Sequence, residues 1–474
     1  MNNLRFLVLL GLFFAYLFFP LGVGLNIFAF DAGMLLALFA TRPELAGRAG
    51  VRWAVFLLLA SAVSVVVVHA PASRLVHHLS LLILMGFVQE RELRFVWYGL
   101  FLGIVSLLAG PKRVYHGLID RYGGFLSAPN RWVWVWPALT ALVVSCPFLL
   151  LYTIGSSDFF RSLGMVTDWL IGLQGMNQVL LFLALFAVGM SITASLVLAD
   201  SDVKLTTDEV SGNERLSRTR IGERRCSSMV ALRFQYRRAI MVFATLNVLL
   251  FAVNLTDLRF IWMSAAELPA TTLSEYVHTG TNSLILSIIL AMALVLHFFR
   301  RNLNFYPHAR TLRALTYLWL AQNAFLALSV GVRNGHYIHA YGLAIGRVYV
   351  GLALCLVLVG LFSLYRKVRQ RMSIYYLLQV NGMAAWLFLV AFGAVNWSGI
   401  ITRVNLRQPT DRIDWSYLVD DLDGTNHYML RDQLNRLPTR YHRRVRLSRE
   451  AVSDWRTWNY ADWREENFGG GAQE

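Results

Sequence analysis

The chain alternates apolar runs with short polar stretches. Runs at 6–19, 25–40, 53–68, 75–88, 132–154, 179–198, 239–255, 284–299, 315–330, 343–365 and 374–395 reach or approach the length at which a helix crosses a hydrocarbon core of about 30 Å. One further run, 95–109, is about 22 Å long as a helix and falls short. The predicted fold is an all-α polytopic helical membrane bundle of about eleven transmembrane helices, or about twelve if 95–109 crosses, with a small polar C-terminal tail domain. The expected divisions are N-terminal spans over 1–199, a polar loop at 200–238, C-terminal spans over 239–401 and the tail at 402–474.

Basic residues set the expected orientation. Arg366, Lys367, Arg369 and Arg371 separate the last two runs, Arg300 and Arg301 follow 284–299, and Arg233, Arg237 and Arg238 close the 200–238 loop. Lys and Arg accumulate on the cytoplasmic side, which puts the N-terminus inside and the tail from Thr402 outside. That alternation holds back to Arg42, Arg48 and Arg52 if 95–109 lies in the inner interface. Its Gly99-x-x-x-Gly103 spacing argues instead for crossing, because small residues let helices pack closely in lipid. The segment 1–19 has the look of a signal peptide, yet the apolar pattern resumes at once at 25–40, so a retained first hairpin is expected. In the tail, 425–437 reads as a short helix ended by Pro438. Trp455, Trp458, Tyr460 and Trp463 form an aromatic group suited to packing on a small core or on headgroups.

Composition agrees. Of 474 residues, 56% are hydrophobic and only 15% charged, with mean hydropathy +0.49. The net charge of +16 would suggest nucleic acid in a soluble domain. Here, basic loops facing anionic lipid account for it, and no nucleic-acid partner is expected. Cys146, Cys226 and Cys355 show neither metal-ligand spacing nor a disulfide framework. No phosphate-binding loop, zinc helix or nucleophile elbow occurs, so neither cofactor nor metal is expected and catalysis is disfavoured. His77-His78 and His336 with His339 read as interface histidines.

Four patterns occur in order: Gly24-Leu25-Asn26; Asp257-Leu258-Arg259 leading to Ser274-Glu275-Tyr276-Val277-His278-x-Gly280; Tyr341-Gly342-Leu343-x-x-x-Arg347; and Asn396-x-x-x-x-Ile401-x-Arg403-x-Asn405-Leu406. With these the chain resembles an uncharacterised family of bacterial multi-pass membrane proteins, catalogued as a domain of unknown function. Trp397-Ser398 stands where relatives often read Pro-Asp, and the tail is longer than in some. The resemblance implies a bacterial cytoplasmic-membrane protein and implies no activity.

Polar residues within or at the ends of spans carry the functional signal. Asn26, Asp31, Asn247, Asn254, Gln322 and Asn381 are read as interhelical hydrogen-bonding groups. Arg347 differs, because its head stays charged and needs partners. Placed about 9 Å from the outer end of 343–365, it is expected to pair with Asp257 or Glu275. Asn323 is placed about 12 Å from the same end. Tyr341, Asn396, Arg403 and Asn405 complete the expected site. It would be an outward-facing polar cavity, used in transport or in lipid and envelope handling, that takes an anionic lipid or small anionic solute. The alternatives are a non-catalytic scaffold or sensor, with protein partners at 200–238 and 402–474, and a transferase acting on a lipid-linked substrate.

Overall fold

The computed structural model describes residues 2–19, 22–91, 93–126, 176–198, 215, 229–259, 285–299, 302–307, 309–446 and 454–468. The expected span at 132–154, most of the 200–238 loop, and Glu275 with its Ser274–Gly280 motif lie outside them. Among the described residues all regular structure is helical, and only an isolated bridge pairs Arg215 with Met372. Six helices are long and apolar enough to cross a membrane, and shorter apolar helices accompany them. Their outward faces carry large apolar side chains: Leu36 is 74% exposed, Val248 72% and Leu290 70%. Continuous apolar exposure of this kind fits lipid rather than water, and points to an integral membrane protein.

The chain divides into two compact units. The first comprises Met1–Leu93, Trp97–Leu205 and Arg449–Glu466. Its helices are α1 (Asn2–Phe18), α2 (Leu25–Thr41), α3 (Ala49–Val67), α4 (Pro71–Gln89), α5 (Val96–Leu126) and α6 (Met176–Val197). Small residues set the packing. Gly11 of α1 meets Phe186 and Met190 of α6, while Gly189 meets Phe14, so these two helices run antiparallel at close range. The segment read as short at 95–109 is the first half of α5, a helix of 31 residues that continues through Pro111. Gly99 and Gly103 press against the backbone of Gly86 and Leu82 on α4. On α5's other side Ser106 and Ser195 exchange hydroxyl-to-carbonyl hydrogen bonds at 3.0 and 2.9 Å, and Gly110 abuts Ser191. Thus α5 runs antiparallel to both α4 and α6. The end of α5 and the start of α6 therefore lie at one face of the unit. The last stretch of chain returns to the α1–α2 turn: Leu25 and Asn26 donate their N–H groups to Trp458 and Arg456 carbonyls at 2.9 and 2.8 Å, which satisfies orphan donors at the start of α2.

The second unit comprises Arg94–Val96, Thr206–Ser448 and Asn467–Glu474. It contains α7 (Met229–Asp257), α8 (Ile285–Phe298), α9 (Ala309–Tyr341), α10 (Ile345–Gln370), α11 (Ile374–Gly393) and α12 (Trp397–Asn405). Two short helices follow, α13 (His427–Arg431) and α14 (Thr439–Arg446). Thus 425–437 is not one helix: α13 ends at Arg431, and Pro438 directly precedes a new helix, α14. The core joins Phe243, Phe299, Leu312, Trp319, Val330, Leu361 and Leu364. A polar seam aligns α7 with α9 in parallel. Asn247 Nδ2 donates to Leu315 O at 3.0 Å, Gln322 Nε2 to Asn247 Oδ1 at 2.9 Å and Asn254 Nδ2 to Gln322 O at 3.1 Å. At one end the buried Lys367 ammonium donates to Phe299 O and Met372 O at 3.3 and 3.0 Å, closing two chain ends. At the other end, α12 to α14 build a cap with its own core of Ile401, Trp415, Leu418, Leu430 and Val445.

Candidate functional site

The site forms where α9 gives way to α10. The sequence suggested a span ending at 330, but α9 continues to Tyr341 and measures about 50 Å over its 33 residues. Hydropathy marks the lipid-facing part, while the polar turns beyond it stay helical in water or in protein. Gly342 reverses the chain at φ +78°, a region other residues enter at a cost, and a β-carbon there would meet the Asn405 amide. Asn405 holds the turn from both sides: Leu343 N–H donates to its Oδ1 at 2.6 Å, and its Nδ2 donates to Leu343 O at 2.9 Å. At the first residue of α10, Ile345 N–H donates to the Tyr417 hydroxyl at 2.8 Å.

Arg347 is therefore the third residue of α10, about 3 Å along it rather than about 9 Å. Its Nη1 donates to Tyr341 O at 3.1 Å and to Gly342 O, carbonyls at the C-terminal end of α9, where a cation is favoured. The guanidinium lies 4.2 Å from the Tyr337 ring centroid, in cation–π range. Asn334 Nδ2 donates to Arg347 O at 3.0 Å. Asp257 does not pair with Arg347. It pairs with Arg333, and both side chains are buried. Since α9 runs past 330 as helix, Arg333 rather than Arg347 comes level with the end of α7.

A cavity of about 140 Å³ opens beside the turn, lined among others by Tyr341, Arg347, Asn405, Gln408, Arg412, Asp414 and Tyr417. Two guanidinium groups face one carboxylate. One oxygen of that carboxylate is engaged: Asp414 Oδ1 accepts from Ser416 Oγ at 2.7 Å and from Tyr417 N–H at 3.1 Å. Burial pushes the Tyr417 phenol above its ordinary pKa, opposed by its bond from Ile345 and by Arg347. It stays protonated, and with its oxygen accepting from Ile345, its proton is free to donate. The volume resembles an engineered cavity of about 150 Å³ that holds benzene and is below the roughly 300 Å³ of drug-sized pockets. It fits a carboxylate- or phosphate-sized group.

Of the residues singled out in the sequence, Tyr341, Arg347 and Asn405 meet here. Asn396 instead caps α12, its Oδ1 accepting from Gly399 N–H at 2.7 Å. Arg403 is exposed on the same helix and does not line the cavity. Asn323 is buried and donates to Trp319 O at 2.7 Å in its own helix, about 21 Å along α9 from Tyr337. Glu275 lies outside the described residues. Gln408, Arg412, Asp414 and Tyr417 were not anticipated. The available signal was the amphipathic 397–405 segment directly after the last span, which turns the following chain back over the helix ends. His77 was read as an interface histidine. It is buried, with Nδ1 3.8 Å from Asp31 Oδ2.

A family model described as "Domain of unknown function (DUF4153)" matches residues 34–428, a range that takes in every residue lining the cavity. No curated protein and no solved structure matches the chain.

Proposed function

Because the chain belongs to the family of the domain of unknown function (DUF4153), whose description names no activity, we propose a function from the geometry of the cavity. The protein is an integral membrane protein of the bacterial cytoplasmic membrane. Its cavity at the α9–α10 turn faces outward and binds an anionic group in transport or in lipid and envelope handling. The observation that carries this reading is the convergence of two guanidinium groups, Arg347 and Arg412, and Tyr417 on a space lined by a single carboxylate, Asp414, one of whose oxygens already accepts two hydrogen bonds. Two guanidinium groups around a phosphate or carboxylate form the charge-assisted contacts for which arginine is best suited.

Sidedness follows from charge. In the second unit Arg233, Arg237, Arg310, Arg313, Arg366, Arg369 and Arg371 belong to the end opposite the cavity. In the first unit Arg42, Arg48, Arg52 and Arg91 gather at the end away from the α1–α2 turn. Counting only the loops between spans, both distributions support basic ends in the cytoplasm, with the N-terminus inside and the tail outside; the arginine-rich cap after α12 does not enter the count, because long polar segments translocate largely regardless of charge. In this reading α5 crosses the membrane, and because α5 ends and α6 begins at the same face, the orientation requires an even number of crossings between them in place of the single one expected from the sequence.

The test is ligand-dependent thermal unfolding of the purified protein in neutral detergent. Inorganic phosphate, phosphatidylglycerol and phosphatidylcholine are titrated separately. Stabilisation by phosphate or phosphatidylglycerol, absent with phosphatidylcholine and weakened about 10- to 100-fold in Arg412→Gln, supports the reading, since one charge-assisted contact contributes about 1.5–3 kcal/mol. Equal stabilisation by both lipids, or an unchanged response in Arg412→Gln, overturns it.

A further inference from the structure

Three side chains in the first unit meet at one level. Asp31 is six residues from the start of α2, Ser61 six from the end of α3 and His77 six from the start of α4. The helices alternate in direction, so each residue sits about 9 Å inward from the same end of the bundle. The Asp31 and His77 side chains are 2% and 5% exposed, and Ser61 is equally enclosed. His77 Nδ1 is 3.8 Å from Asp31 Oδ2 and 3.4 Å from Ser61 Oγ. Among the described residues Asp31 Oδ2 has no hydrogen-bond partner.

The local donors settle where a proton sits. Ser61 Oγ gives its own hydrogen to Leu58 O at 2.7 Å, so towards His77 its oxygen can only accept. In that arrangement the ring nitrogen facing both Ser61 and Asp31 is the one that carries hydrogen. Asp31 Oδ2, which has no hydrogen-bond partner among the described residues, lies 3.8 Å from the same nitrogen, close enough for a small ring rotation to bring the two together. A buried carboxylate left ionised and alone costs several kcal/mol, and an ionisable residue inside a membrane span marks function more often than structure. Other titratable groups on the packed helices are few. On α4 they are His78, its ring 5.6 Å from that of His77, and Arg74 one turn earlier. Beyond these, α1 offers Arg5 and Tyr16, α3 offers Arg52 in its first turn, and α2 and α6 offer none besides Asp31.

We propose that Asp31 and His77 bind one exchangeable proton between carboxylate Oδ2 and imidazole Nδ1, with Ser61 positioning the ring, so that the first unit holds an intramembrane proton site. When the proton moves, the Nδ1–H bond breaks as the Oδ2–H bond forms while Nε2 keeps its own hydrogen, so imidazolium and carboxylate become neutral imidazole and carboxylic acid, and the pair titrates as one coupled group. The site is built from the first unit alone and stands independently of the anion cavity.

The test is infrared difference spectroscopy of the full-length protein in nanodiscs, stepped from mildly acidic to mildly alkaline buffer. A carboxylic-acid carbonyl band should change with pH, vanish in Asp31→Asn and shift in His77→Gln. Should Asp31→Asn fail to fold, His77→Gln still reads the carboxyl, and nitrogen NMR of labelled histidine in the unaltered protein reads the same proton on the ring. A difference spectrum unchanged in Asp31→Asn overturns the proposal, as does a band that His77→Gln leaves in place. A band that responds to sodium at fixed pH also overturns it, by making the site one for a metal cation.

Discussion

Arg333 and Arg347 belong to consecutive helices at the same end of the second unit, and they are used in opposite ways. Arg333 is buried and joined to the buried Asp257 carboxylate. Arg347 is half-buried and rests on two carbonyls and a tyrosine ring beside an open cavity. A carboxylate neutralises a guanidinium. Carbonyl dipoles and an aromatic face steady it but leave its charge available to a third party. The first arrangement fastens α7 to α9; the second holds a cation ready for an anion. Equivalent residues in sequence thus become lock and receptor through their partners alone.

The largest expected effect comes from breaking the lock. Arg333→Leu or Asp257→Ala should each destabilise the protein by about 3–5 kcal/mol, because a buried charge loses its counterion. Replacing both with apolar residues should recover most of that loss, as read by thermal unfolding in detergent. Additive losses would show that the two side chains do not act as a pair.

Next comes the turn that presents Arg347. Gly342→Ala introduces a β-carbon against the Asn405 amide at φ +78°, and should cost about 1–3 kcal/mol. Asn405→Ala removes both bonds to Leu343 and should cost a similar amount, about 1–3 kcal/mol. Combining the two should cost less than the sum, since the clash disappears with the amide.

Arg347→Gln should lower stability by about 1–3 kcal/mol, since it gives up a cation–π contact and charge-assisted bonds to two carbonyls, while weakening phosphate binding at least as much as Arg412→Gln does. A stability loss as large as that of Arg333→Leu would erase the contrast between the two arginines.

The smallest effect concerns acid. Hydrogen bonds from the Arg456 side chain, then its backbone, hold the Asp454 carboxyl below its ordinary pKa. A depressed carboxylate contributes stability above its unfolded pKa and loses it as pH falls through the folded value. Protection of the amides in 454–466, measured relative to the intrinsic exchange rate at each pH, should therefore be high at neutral pH and fall only below the usual carboxylate range. Asp454→Asn should show the lower protection at neutral pH and converge with the unaltered protein in acid.

How far this could be read in advance varied with the kind of information. The runs at 343–365 and 374–395 correspond to α10 and α11 within a few residues, because apolar length reports the lipid-facing stretch directly. Tyr341, Arg347 and Asn405 were recognisable as polar residues at the ends of such stretches. Their depth was misjudged because hydropathy does not see a helix continuing into polar sequence, as α9 does to Tyr341 and α5 does through Pro111. Partner choice was hidden for another reason. Whether Asp257 meets Arg333 or Arg347, or Asp31 meets His77, depends on which turns come level across a bundle. One chain without its packing does not specify that.

The return of the final stretch to the α1–α2 turn has a consequence for biogenesis. Leu25 and Asn26 receive their carbonyl partners from Trp458 and Arg456, and Arg456 also donates to Tyr16 O at 2.6 Å. At ribosomal rates of about 5–20 residues per second, the roughly 430 residues between them take about 20–90 s to make. For that interval the Leu25 and Asn26 N–H groups at the α1–α2 turn lack the carbonyls that later satisfy them. A nascent chain that stalls before Arg456 would leave them so, and release of the completed tail is the step that seals the turn.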